Sequence, residues 1–159
     1  MKRCFEKISF LEFKKSIKDE KTLYDSYSLP KRATKNSAGY DFFAPEDITL
    51  PKNELTRVMT GVKCELLPYM VLILANRSSN PSKKGLYLAN GVGIVDADYY
   101  NNPDNEGEIG FEFFNNSGED VVIKKGDKIG QGIITNFLRT EDDNNMNAVR
   151  TGGYGSTGK

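Results

Sequence analysis

The segment Asn90-Gly91-Val92-Gly93-Ile94-Val95-Asp96-Ala97-Asp98-Tyr99 decides how this chain is read. Val92, Ile94 and Val95 are β-branched and favour extended backbone. Two glycines among them predict a β-hairpin whose backbone lies open at one edge. Such an edge offers N–H and C=O groups that can hydrogen-bond a flat base much as a partner base does. Asp96 then lies beside the bound molecule and Tyr99 presents a ring face to it. Taken alone, Asp96 reads equally as a turn or capping carboxylate, and Tyr99 as a core residue.

Outward from this segment, short strand-like runs recur between turn signals. They are Ala38–Ala44, Leu55–Met59, Gly61–Leu66, Met70–Asn76, Gly107–Phe114, Val121–Ile123 and Ile129–Phe137. Pro30, Pro45, Pro51, Pro68, Pro81 and Pro103 fall at or outside the run edges, because proline cannot donate within a ladder. Many short strands punctuated in this way predict an all-β sandwich or barrel. Before them, Phe10, Phe13 and Ile17 are spaced for a helix over 10–18, and Ser9 with Glu12 forms a capping-box pattern. The division expected is an N-terminal extension over 1–28, a β domain over 29–139 and a mobile, glycine-rich tail over 140–159.

The 159 residues suit one domain, and a chain of this size hides roughly 70% of its unfolded surface. Lysine plus arginine balance aspartate plus glutamate at 22 each, so the chain lacks the basic excess that grips long nucleic acid. A small phosphorylated ligand remains open, since it needs only a few placed donors. Histidine is absent, which removes Ser-His and Cys-His nucleophile systems and the common zinc sites. Cys4 and Cys64 match no metal spacing and read as ordinary thiols of a reducing compartment. No apolar run approaches the ~18 residues of a membrane span, and no secretory segment is evident. A cytoplasmic protein without membrane contact is therefore expected.

Further polar clusters carry candidate chemistry. Arg77-Ser78-Ser79 follows an apolar run directly, and these are side chains that grip phosphate through charge-assisted hydrogen bonds. Gln131 stands in Gly126-Asp127-Lys128-Ile129-Gly130-Gln131-Gly132, where its amide can donate to a phosphate oxygen. In the tail, Arg150 and Gly152-Gly153-Tyr154-Gly155-Ser156-Thr157-Gly158 combine a cation, a ring, hydroxyls and exposed backbone N–H groups. These are the parts of an anion nest with a stacking platform. Each cluster alone also reads as an ordinary turn, surface or tail.

In order along the chain, these clusters resemble the five signature motifs of the trimeric dUTPase family. The first is Ser37-Ala38-Gly39-Tyr40-Asp41-Phe42-Phe43-Ala44 and the second Arg77-Ser78-Ser79. The third is Asn90–Tyr99, the fourth Gly126–Gln131 and the fifth Gly152–Gly158. The resemblance implies a jelly-roll-like fold and a homotrimer whose sites are each shared between subunits. It implies that dUTP is split to dUMP and pyrophosphate with Mg²⁺, held chiefly by the triphosphate and water rather than by a protein cage. By the same resemblance, Asp96 orients and activates the attacking water. Tyr99 lies under the deoxyribose, while Asn90, Gly93 and Ile94 read the uracil. Arg77, Ser78, Ser79, Gln131 and Arg150 hold the phosphates, and Tyr154 stacks on the base where the family usually has Phe. Gly155, Ser156 and Thr157 wrap the terminal phosphates, and Asp41 joins the water and metal network.

The sequence departs from the family pattern at three places. Asn76 replaces a common proline, Asn101–Glu106 lengthens the third motif, and Arg150 stands one residue closer to the glycine core of the tail. Two rival readings stay open. In the related dCTP deaminase family a catalytic glutamate lies near where Glu112 falls. A non-catalytic protein that binds a regulatory partner would use the first 25 residues and the Asn101–Glu106 insertion as surface.

Overall fold

The computed structural model describes residues 4–143 together with Arg150 and Gly152. Twelve strands run through it in chain order. They are β1 (Cys4–Lys7), β2 (Lys31–Arg32), β3 (Tyr40–Phe43), β4 (Ile48–Leu50), β5 (Leu55–Met59) and β6 (Val62–Glu65). Then follow β7 (Met70–Asn76), β8 (Leu86–Leu88), β9 (Val92–Asp96), β10 (Gly110–Asn115), β11 (Val121–Ile123) and β12 (Lys128–Asn136). Two helices, α1 (Phe10–Ser16) and α2 (Lys21–Ser26), lie between β1 and β2. The ladders are antiparallel and form four small sheets, ordered β1-β6, β5-β10-β8, β11-β4 and β2-β3-β12-β7-β9. This is the all-β architecture the punctuated runs predicted, in the jelly-roll-like form the family resemblance implied.

Alternation writes the core. Along β10 the burial alternates, so Phe111 and Phe113 face inward while Glu112 faces out. Phe111 meets Phe42 of β3 edge-on, with ring centroids 5.3 Å apart. β12 crosses this aromatic layer closely: a Cβ on Gly130 would stand 2.2 Å from the Phe111 ring. Glycine at 130 therefore lets the strand lie on the core, and the period of two turns Gln131 to the opposite face.

The first residues are knit into the fold. β1 pairs with β6 over Cys4–Lys7, and Ile8, Phe13, Leu23 and Tyr27 are buried in the same core as the strands. Helix α1 is two residues shorter than its apolar spacing predicted. Ser9 Oγ accepts from the Glu12 N–H at 3.2 Å, a cap worth about 1 kcal/mol. The return half of the expected capping box differs. The Ser9 N–H donates to Glu106 at 2.9 Å, while the Glu12 carboxylate pairs with Lys15 at 2.9 Å.

Candidate active site

The structure brings the first, second and fourth motifs together at one end of the large sheet. Gln131 of β12 pairs in register with Asp41 of β3 on one side and with Ala75 of β7 on the other. Its side-chain amide donates to the Asn76 carbonyl at 3.3 Å. Gly39 leaves the room for it, since a Cβ there would lie 2.3 Å from Gln131 Oε1. Asp41 is ion-paired with Lys128 at 2.7 Å, its side chain mostly covered.

Directly after β7, Arg77 reaches across to the Lys128 carbonyl at 3.2 Å, and Ser78 stands exposed beside it. The turn is held by Asn76, the residue found in place of the family's usual proline. Its Oδ1 accepts from the Arg77 N–H at 2.9 Å and from Asn80 Nδ2 at 2.8 Å, while its Nδ2 donates to the Leu86 carbonyl at 2.9 Å. Asn80, 2% exposed, also donates to the Ile129 carbonyl. Hydrogen bonds thus replace the stiffness a proline ring would supply. Asn80 and Lys128 belong to this site although the sequence reading passed over them. The only signal for Asn80 is its place between Ser79 and Pro81, where an asparagine commonly closes a turn.

The third motif is placed differently from the hairpin expected of it. Gly91, with φ +70°, turns the chain from β8 to β9, but β8 pairs with β10 and β9 with β7. The turn therefore joins two sheets rather than two paired neighbours. β9 is the last strand of its sheet, with Val92 and Ile94 exposed and Gly93 packed on Leu74. Asn90 is exposed at its start. Asp96 closes β9 and begins the 3₁₀ turn Ala97–Tyr99.

Tyr99 is 6% exposed, so it is packed and not an open ring. Its hydroxyl donates to the Glu108 carbonyl at 2.9 Å and accepts from Asn105 Nδ2 at 2.8 Å. Over one face lies the Arg150 guanidinium, 5.6 Å from the ring centroid. Arg150 also donates to Asp96 at 2.9 Å and to Asp98 at 3.0 Å. Asp98 is a partner the sequence reading had not singled out. Tyr154, Gly155, Ser156 and Thr157 lie outside the described residues, as does most of the segment expected to be a mobile tail.

Register separates the two halves of this constellation. Asp96 stands opposite Val71 at one end of β7, whereas Arg77 follows the other end. Six residues of strand separate those levels, about 20 Å at the usual rise. One chain therefore cannot set its own Asp96 and its own Arg77 on a single phosphate.

Glu112, the residue of interest in the deaminase reading, is paired with Arg57 across the β5–β10 ladder at 3.1 Å. Among the described residues, one group of side chains has metal-ligand proximity, Cys4 with Glu6 and Glu65 on the β1–β6 ladder. No helix among the described residues is long and apolar enough to cross a membrane.

Fold and site define a jelly-roll-like β domain that presents polar, phosphate-compatible side chains from strand ends and turns. A family model described as dUTPase matches residues 25–158. A deoxyuridine 5'-triphosphate nucleotidohydrolase of Lactococcus lactis subsp. lactis is 47% identical over 132 residues, covering 82% of this chain and 88% of the relative. One of Rickettsia felis is 35% identical over 148 residues, covering 89% and 96%. The crystal structure of a dUTPase from Streptococcus mutans superposes with a TM-score of 0.74 at 38% identity, covering 87% of this chain and 99% of that one. A mutant dUTPase from phage phi11 of S. aureus, described with a structural Mg(II) ion, shares the fold with a TM-score of 0.67 at 23% identity. The chain belongs to the dUTPase family and is an enzyme of its class, a dUTP diphosphatase.

Proposed function

We propose that this chain hydrolyses dUTP to dUMP and pyrophosphate by attack of water on the α-phosphorus, in sites assembled from several copies, three by family resemblance. The observation that carries the shared site is the spacing along β7. Asp96 and Arg77 belong to one reaction only if different chains supply them. The exposed edge of β9 would then face the nucleotide held by Arg77, Ser78, Ser79 and Gln131 of a neighbour. Asn90, Gly93 and Ile94 would meet the uracil through backbone polarity. A cytosine amino group would leave buried donors facing donors, which costs far more than a lost contact.

Asp96 would orient the water and accept its proton, and Tyr99 would lie under the deoxyribose. For Asp96 to do so, Arg150 must release its carboxylate or share it. Released from Asp96 and Asp98, that guanidinium would be free to move onto the phosphates it would stabilise. Tyr154, Gly155, Ser156 and Thr157 would close over base and terminal phosphates.

Mg²⁺ fits this donor set as an ion carried by substrate. Asp41 is tied to Lys128, Asp96 to Arg150, and the described residues around Gln131 offer no carboxylate cage. Such an ion would neutralise phosphate charge, and Asp41 would be the nearby carboxylate able to hydrogen-bond its waters. The reaction would limit uracil entry into DNA and supply dUMP for thymidylate synthesis. The test is Asp96→Asn. Turnover should fall by about 10²-fold or more while dUTP binding persists. Near-normal turnover would refute the assignment of the base. Mixing Asp96→Asn with Arg77→Ala chains should regenerate activity in mixed oligomers, and failure to do so would refute the shared site.

A further inference from the structure

Within Asn101–Glu106, a polar insertion relative to the family pattern, Asn101, Pro103 and Asp104 are exposed while Asn102 and Asn105 turn inward on Tyr99. Asn102 Nδ2 donates to the Tyr99 carbonyl at 3.0 Å and to Asn105 Oδ1 at 2.7 Å. Asn105 Oδ1 also accepts from the Gly107 N–H at 3.1 Å. Two donors on Oδ1 fix which way the Asn105 amide points, so its Nδ2 must face Tyr99 Oη, 2.8 Å away. That hydroxyl donates in turn to the Glu108 carbonyl at 2.9 Å.

The loop is anchored at its far end too. Glu106 receives the Ser9 N–H at 2.9 Å and Lys63 Nζ at 3.2 Å, while Lys63 also donates to Asn101 Oδ1 at 2.6 Å. Asn101 and Glu106 hold φ values of +57° and +56°, and the Asn101 N–H returns to the Glu106 carbonyl at 2.9 Å. Asparagine adopts the left-handed region readily, but a glutamate persists there only where surrounding bonds over-determine it. A closed, doubly anchored loop therefore delivers one oriented donor to the ring.

We propose that Asn105 is a positioning residue for sugar selectivity, fixing the plane of the Tyr99 ring from a loop outside the five motifs. The proposal rests on the reading that Tyr99 lies under the deoxyribose. A phenol held at Oη by Asn105 and the Glu108 carbonyl cannot tilt to admit a 2′-hydroxyl. Released from Asn105, the ring can rock about its Cβ, and discrimination relaxes without loss of the reacting groups.

The experiment measures kcat/KM for dUTP and UTP in the full-length enzyme. Asn105→Ala should raise the UTP-to-dUTP ratio about fivefold, the scale of one side-chain hydrogen bond. Tyr99→Phe, which removes this bond together with the one to the Glu108 carbonyl, should raise it at least as much. In the Tyr99→Phe background, Asn105→Ala should change the ratio no further. A merely structural loop would lower both substrates in parallel. An unchanged ratio in Asn105→Ala, with a ratio that does move in Tyr99→Ala, overturns the proposal and spares the Tyr99 reading. A ratio unmoved even by Tyr99→Ala overturns both. If Asn105→Ala does not fold, an unmoved ratio in Tyr99→Phe is itself sufficient to reject the proposal.

Discussion

Glu108 is fully buried, and it should make this protein lose stability as pH rises through neutrality. Burial pushes its carboxyl from an ordinary 4.5 up to about 7; hydrogen bonds from Ser16 and the Gly61 N–H pull the other way, and the nearby Glu12 and Glu106 charges add to the rise. The folded protein therefore keeps the proton where the unfolded chain has lost it. Stability from this group is complete below about pH 4.5 and gone above about pH 7. The 2.5-unit gap corresponds to about 3 kcal/mol over the whole window. Between about pH 5.5 and 8, about 2 kcal/mol of that is lost. Glu108→Gln keeps an acceptor for the Gly61 N–H, now at 2.8 Å, and cannot ionise. Urea unfolding of both proteins at fixed chain concentration isolates the effect, because every other titrating group is common to them. The variant's advantage over the parent should be about 2 kcal/mol larger near pH 8 than near pH 5.5. Parallel stability profiles for the two proteins would refute the reasoning.

Other perturbations probe the site. Gly39→Ala should displace the Gln131 amide, whose Oε1 would lie 2.3 Å from the new Cβ, so KM for dUTP should rise several-fold with little change in Tm. A chain ended after Thr140 should still fold and assemble but lose most turnover, read by pyrophosphate release; an unchanged rate would make the tail irrelevant to catalysis. Glu112→Gln should leave dUTP hydrolysis within about twofold, since its partner Arg57 lies across an exposed ladder where such pairs contribute little. Ammonia release from dCTP that this change abolishes would revive the deaminase reading. Cutting back Arg150 to Ala should free Asp96 and Asp98 of their shared cation and lower kcat/KM for dUTP, with thermal unfolding as the control for fold.

Much of the strand framework was legible because periodicity and punctuation are local. Leu55–Met59, Met70–Asn76 and Val121–Ile123 form strands over the spans their composition predicted. β1 was hidden because Cys-Phe-Glu-Lys is short and mixed, and it becomes a strand only by pairing with β6. β8 is three residues long and is held by β10. The strand expected to begin at Gly107 begins at Gly110, because the preceding residues close the loop around Tyr99. Asn76 was a departure from pattern on paper; its three hydrogen bonds show how the turn is stiffened without proline.

The sequence by itself determined the family, the spans of several strands and the ordered candidate residues, because punctuation and spacing are properties of neighbours along the chain. Tertiary structure decided which of those residues can act together. Pairing β9 antiparallel to β7 sends Asp96 and Arg77 to opposite ends of one strand. Inward turning of Asn102 and Asn105 makes an otherwise exposed loop a support for Tyr99. Register and burial depend on contacts between segments far apart in sequence, so no local pattern encodes them.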